Sequence, residues 1–83
     1  MDLKETGINY MSYIYRRLKD LREDNHFTQA QIAEYLHVKQ STYSQYETGS
    51  RDISVDSISK LSDFYNVSIE YILGRTNNPK INR

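Results

Sequence analysis

The 83-residue sequence has no cysteine, no tryptophan, one proline and three glycines, and its eleven Lys and Arg are cancelled by eleven Asp and Glu. Without cysteine, neither a disulfide framework nor a thiolate zinc site can hold a small fold together, and a reducing cytoplasm suits the chain. So little glycine and proline, beside 37% hydrophobic and 27% charged residues, excludes collagen-like and disordered composition. No apolar run approaches the ~18 residues of a spanning helix, and the charged start Met1-Asp2-Leu3-Lys4-Glu5 lacks the apolar stretch of a signal peptide. A single cytoplasmic domain with no membrane partner is therefore expected. The absence of net charge speaks, on its own, against a polyanionic partner.

What is present is a quick succession of helix starts and stops. Met11, Ile14, Leu18 and Leu21 recur at three- and four-residue steps between Tyr10 and Asp24, the stripe of an amphipathic helix. Thr28-Gln29-Ala30-Gln31 reads as a capping box, with Phe27 and Ile32 as its hydrophobic staple, opening a second helix that runs to about Leu36. A third covers Gln40 to Thr48 and stops at Gly49. Ser54 caps a fourth bearing Val55, Ile58, Leu61 and Phe64 or Tyr65; Ser68 caps a short fifth over Ile69 to Leu73, stopped by Gly74. The chain thus divides into a flexible leader (1–9), an all-α five-helix bundle (10–74) and a polar tail (75–83) expected to fray.

Only about three residues separate helices 2 and 3, and helices joined that tightly must cross steeply, as in a helix-turn-helix. His37, in the turn, stands where positive φ is expected, a conformation for which His is among the few non-Gly residues enriched. On helix 3, Thr42, Tyr43 and Tyr46 share one sector, and Gln40, Ser41, Ser44, Gln45 and Thr48 share the opposite one. That outer face is uncharged and rich in amides and hydroxyls, which donate to and accept from base edges in a DNA major groove.

These residues resemble the Cro and phage-repressor type of helix-turn-helix domain, the lambda-repressor-like XRE family of bacterial transcriptional regulators. The resemblance runs from about Tyr13 to Gly74. It is carried by Leu18-Lys19-Asp20-Leu21-Arg22, by Thr28 to Ala33, by Ser41 to Gly49 and by Asn66 to Gly74, in that order and spacing. It implies that helix 3 enters the major groove with Gln40, Ser41, Ser44 and Gln45 facing bases. It implies phosphate contacts from Gln29, Lys39, Thr48 and Arg51, and an Arg22–Glu47 ion pair that orients helix 3. The chain departs from the family pattern at His37, where Gly is common, and at Lys39, where a Ser or Thr cap is more usual. Losing that cap costs about 1 kcal/mol but sets a cation beside the expected phosphate path.

The remaining features point elsewhere only weakly. Arg16, Arg17, Lys19 and Arg22 alternate with Asp20, Glu23 and Asp24 on helix 1 and read as a solvated face. His26 and His37, without Cys and without i, i+4 spacing, make a poor ligand set, so no metal is expected. No Gly-rich phosphate loop or nucleophile–base pair is recognisable; no cofactor, small-molecule ligand or enzymatic activity is expected. Tyr10, Tyr13 and Tyr15 crowd the start of helix 1 and cannot all face one core, which leaves a partner surface open there. The expected function is a sequence-specific DNA-binding regulator, a repressor acting as a homodimer on an operator of two half-sites, with Ile69 and Tyr71 implied near the dimer contact by the resemblance. An antitoxin on the same fold, or an adaptor that has lost DNA binding, are the alternatives. The charge balance then becomes a matter of distribution: residues 10–50 carry five bases against five acids and 51–83 five against four, yet Lys39 and Arg51 bracket the reading face.

Overall fold

A computed structural model describes residues 10–81; the leader, and the side chains of residues 10–13, among them Met11 of the expected stripe and Tyr10 and Tyr13, lie outside what it describes. Five helices follow in order: α1 (Tyr10–Asp24), α2 (Gln29–Leu36), α3 (Gln40–Thr48), α4 (Val55–Tyr65) and α5 (Ile69–Ile72), with no strand among the described residues. α2 packs chiefly on α3, α1 on both α3 and α5, and α4 on α5. Each helix contributes one large, wholly buried side chain to a common core: Leu18, Ile32, Tyr43, Leu61 and Ile72. At about 1.5 to 3 kcal/mol per buried side chain of this size, that shared centre is what gathers helices too short to persist alone.

The short connections share a construction. α1, α2 and α4 each run into a left-handed residue that is not glycine, His26 (φ 63°), His37 (φ 59°) and Asn66 (φ 56°). In each case the next amide reaches back five residues: Phe27 N–H to Arg22 O, Val38 N–H to Ala33 O, Val67 N–H to Ser62 O, the six-to-one bond of a Schellman stop. The apolar residue so placed is at least partly buried against the core, and the residue after it is the N-cap of the next helix. A three-residue joint of left-handed, apolar and capping residues therefore ends one helix and starts another, which is how five helices fit in so short a chain.

An aromatic group around Phe64 fastens α2 to α4. Its ring lies 5.1 Å from Phe27, 4.5 Å from Tyr35 and 5.1 Å from Tyr65, centroid to centroid. Tyr35 Oη also donates to Lys60 O at 2.9 Å.

Two expectations are corrected. Arg17 is not part of a solvated face: its guanidinium donates to Tyr71 O (2.9 Å), Thr76 O (3.3 Å) and Asn77 Oδ1 (3.0 Å), and lies 3.9 Å over the Tyr71 ring. Residues 75–81 accordingly do not fray. They fold back over α5, where the Ser68 N–H donates to Pro79 O at 2.8 Å. The physical reason is position: Arg17 falls three residues after Ile14 and four before Leu21, on the inward stripe of α1, where a cation must find acceptors. Tyr71, beneath that guanidinium, belongs to the clamp.

Candidate nucleic-acid interface

The turn before α2 carries the complete capping box: Gln31 N–H donates to Thr28 Oγ1 (3.1 Å) and Thr28 N–H to Gln31 Oε1 (2.8 Å). α2 therefore begins on a closed cap, with the N–H groups of Gln29 and Ala30 left without an acceptor inside the helix. Three residues separate the end of α2 from the start of α3. Its N-cap, Lys39, is extended (φ −70°, ψ 151°) and makes no side-chain cap, so the first amides of α3 keep their donors and a cation stands among them.

The inner side of α3 is fixed by Tyr43 and Tyr46, whose rings meet edge to face at 6.2 Å. Its flank is fixed by a buried ion pair. Arg22 Nε donates to Glu47 Oε2 at 2.7 Å and Nη2 to Glu47 Oε1 at 3.1 Å, a bidentate fork; Nη1 donates to Phe27 O at 3.0 Å. The two side chains are only 13% and 4% exposed. Gln29 Nε2 adds a bond to Glu47 Oε1 at 3.1 Å. Burial alone would raise the Glu47 pKa, yet the hydrogen bonds from Arg22 and Gln29, the nearby Tyr43 hydroxyl and the guanidinium charge outweigh it and hold the carboxyl below its ordinary value. The Tyr43 hydroxyl has no partner of good hydrogen-bond geometry, but it lies near enough to Glu47 to help stabilise that charge. Burial, before its acidic neighbour, pushes the Tyr43 hydroxyl far up.

With α3 so oriented, Gln40, Ser41 and Thr48 are exposed, and Ser44 and Gln45 are partly exposed. Lys39 and Arg51 are exposed at the two ends of the helix. Gln29 is half-buried because one amide proton is committed to Glu47; the second proton and the backbone of the α2 start are what it can offer a ligand.

Two pairings were not evident from the sequence. Arg51 Nε donates to Gln45 Oε1 at 2.8 Å, and Arg51 N–H to Gln45 O at 3.3 Å, joining the loop after α3 to the middle of its outer face. Gly49 makes that return possible: its φ is +81°, and a Cβ there would lie 2.7 Å from the Tyr15 ring. Tyr15 in turn donates to Asp52 Oδ1 at 3.4 Å. A glycine stop was legible, but the partner of the arginine two residues later was not.

A helix-turn-helix family profile matches residues 18–72. The HTH-type transcriptional regulator ImmR of Bacillus subtilis (strain 168) is 42% identical over 60 residues, 72% of this chain and 47% of ImmR. The cryptic phage CTXphi transcriptional repressor RstR of Vibrio cholerae is 32% identical over 53 residues, 64% of this chain and 48% of RstR. The crystal structure of a transcriptional regulator from Listeria innocua shares the fold, with a TM-score of 0.71 at 24% identity over 74% of this chain and 57% of that one. The chain spans about half the length of the curated relatives it matches.

Proposed function

Since the chain belongs to the helix-turn-helix family, with the matched segment spanning α2, α3 and the core that orients them, we propose that it is a sequence-specific DNA-binding transcriptional regulator and acts as a repressor. The observation that carries this reading is the outer face of α3. It is uncharged, built of amides and hydroxyls, and framed by Lys39 and Arg51 with no acid exposed between them, because Glu47 is turned inward onto Arg22.

Gln40, Ser41, Ser44 and Gln45 read base edges; Lys39, Thr48, Arg51 and the amide-rich start of α2 at Gln29 hold phosphates and set the register. Two copies bind half-sites about one helical turn apart on one face of the duplex, and a promoter so occupied is repressed. Support for the repressor assignment comes from RstR, whose own name is that of a repressor.

Selection of bound sequences from random duplex DNA tests the reading. The wild type enriches a motif at moderate salt. Gln40→Ala relaxes one base position and loses about 1 to 3 kcal/mol on the best site, whereas Lys39→Ala weakens all sequences alike and flattens the salt dependence by about one phosphate contact. No enriched motif for the wild type would overturn it.

A further inference from the structure

We propose that Arg51 is a specificity-positioning residue: by holding the carboxamide oxygen of Gln45, it turns the amide NH2 outward and makes Gln45 a reader of acceptor-bearing bases, with guanine best and cytosine worst. The inference rests on the DNA-binding reading above and sharpens it at one side chain.

Gln45 has two chemically opposite ends, and a free glutamine presents either to a base. Arginine has donors only, so the atom facing Arg51 Nε at 2.8 Å must be the carboxamide oxygen. The bond is charge-assisted. Its geometry is imposed from below. Gly49 turns the chain in a left-handed conformation over the Tyr15 ring, and the Arg51 N–H bonds to the carbonyl of the same Gln45. Thr48 Oγ1 donates to that carbonyl at 3.3 Å and shares a 3.0 Å bond with Ser50 Oγ. The loop is thus anchored on one residue of the reading face by backbone and side chain together. The NH2 left outward carries two protons. Guanine sets two adjacent acceptors, O6 and N7, in the major groove, while cytosine offers only its N4 donor.

Sequence selection is run at reduced salt with the wild type, Gln45→Ala, Gln45→Glu and Arg51→Met. Gln45→Ala identifies the position this side chain reads by relaxing it. At that position the wild type favours guanine over cytosine, and Gln45→Glu, which can only accept, reverses the preference. Arg51→Met frees the carboxamide to turn its oxygen outward. The guanine-to-cytosine ratio then falls at least about fivefold, the lower end of what one well-made base contact discriminates, and the other positions keep their profile. A general loss of affinity with that ratio unchanged assigns Arg51 to phosphate binding alone and overturns the inference. So does a wild-type preference for cytosine, or a failure of Gln45→Ala to relax any position. A measurement without DNA separates this from the functional reading. The Arg51 Nε proton exchanges slowly in the free wild type and faster in Gln45→Ala; equal exchange overturns the pairing even if a motif is selected, and absence of any wild-type motif fails the functional reading itself.

Discussion

The turn from α1 to α2 and the turn from α2 to α3 start alike and finish differently. Each passes through a left-handed histidine, His26 or His37, then an apolar residue, Phe27 or Val38, that sends its amide five residues back. The first turn ends on Thr28 with a reciprocal capping box, and Arg22 crosses from its Phe27 carbonyl to Glu47 on α3. The second ends on Lys39, with no side-chain cap and, among the described residues, no ion pair of this kind. The stabilising contacts sit at the turn before α2, whereas the turn before α3 leaves the first amides of that helix without a side-chain cap and a cation beside them. Local stability and available binding groups are two uses of the same helix start, and this chain divides them between neighbouring joints.

Removing the brace should break that division most severely. Glu47→Ala leaves the Arg22 guanidinium in an enclosed site without its carboxylate, a change that costs about 3 kcal/mol or more; urea denaturation measures it. Arg22→Met combined with Glu47→Leu should recover part of that loss, since an uncharged pair leaves no buried charge behind. The same carboxyl gives stability a pH signature. Its folded-state pKa is depressed from an ordinary value of 4.5, so its contribution is fully present above that value and is lost as pH falls through the folded-state pKa. In Glu47→Gln that part of the acid-side slope disappears.

Exchanging the caps between the two joints is the next largest effect and the most direct test of the contrast. Thr28→Ala should lose about 1 kcal/mol of stability, and Lys39→Ser should gain a similar amount by supplying the absent acceptor. Lys39→Ser should also weaken binding to every DNA sequence and reduce the salt slope by about one phosphate contact. Thermal denaturation and filter binding read the two quantities on the same preparations. Opposite signs in stability and affinity for Lys39→Ser are what the division of roles requires; a loss in both would remove it.

Much of this plan is legible in the residues because it rests on local chemistry. Ser/Thr caps at Thr28, Ser54 and Ser68, the αL position at His37 and the stops at Gly49 and Gly74 involve neighbours within a few residues, where spacing alone dictates geometry. The opposed sectors of α3 follow from helical period in the same way. What lay hidden depends on side chains meeting across the fold. Arg17 and the tail are separated by about sixty residues, Gln29 and Glu47 by 18, and each partner alone looks like an ordinary surface group. The Gln45–Arg51 bond is close in sequence but crosses a glycine turn whose direction is set by Tyr15, thirty-four residues upstream of Gly49. For Arg17 the sequence does carry a signal: it lies on the apolar stripe of α1, where a cation needs acceptors of its own.

The smallest expected effect concerns what the two joints have in common. An L-residue in the left-handed region carries roughly 1 to 2 kcal/mol of backbone strain, partly offset for histidine, and glycine would remove it at the cost of about 0.5 to 1 kcal/mol of extra chain freedom in the unfolded state. His37→Gly should therefore leave stability within about 1 kcal/mol of the wild type and on the favourable side. His26→Gly should behave the same way, because φ differs by only a few degrees between the two positions. His37→Val, which adds β-branching to the same backbone, should lose more than either gains. Both histidines are exposed, so side-chain burial contributes little to these differences. Equal responses at residues 26 and 37 would mean that the joints share one backbone solution and differ only in the cap that follows. A larger gain at 37 would mean that the turn entering α3 is also the more strained of the two.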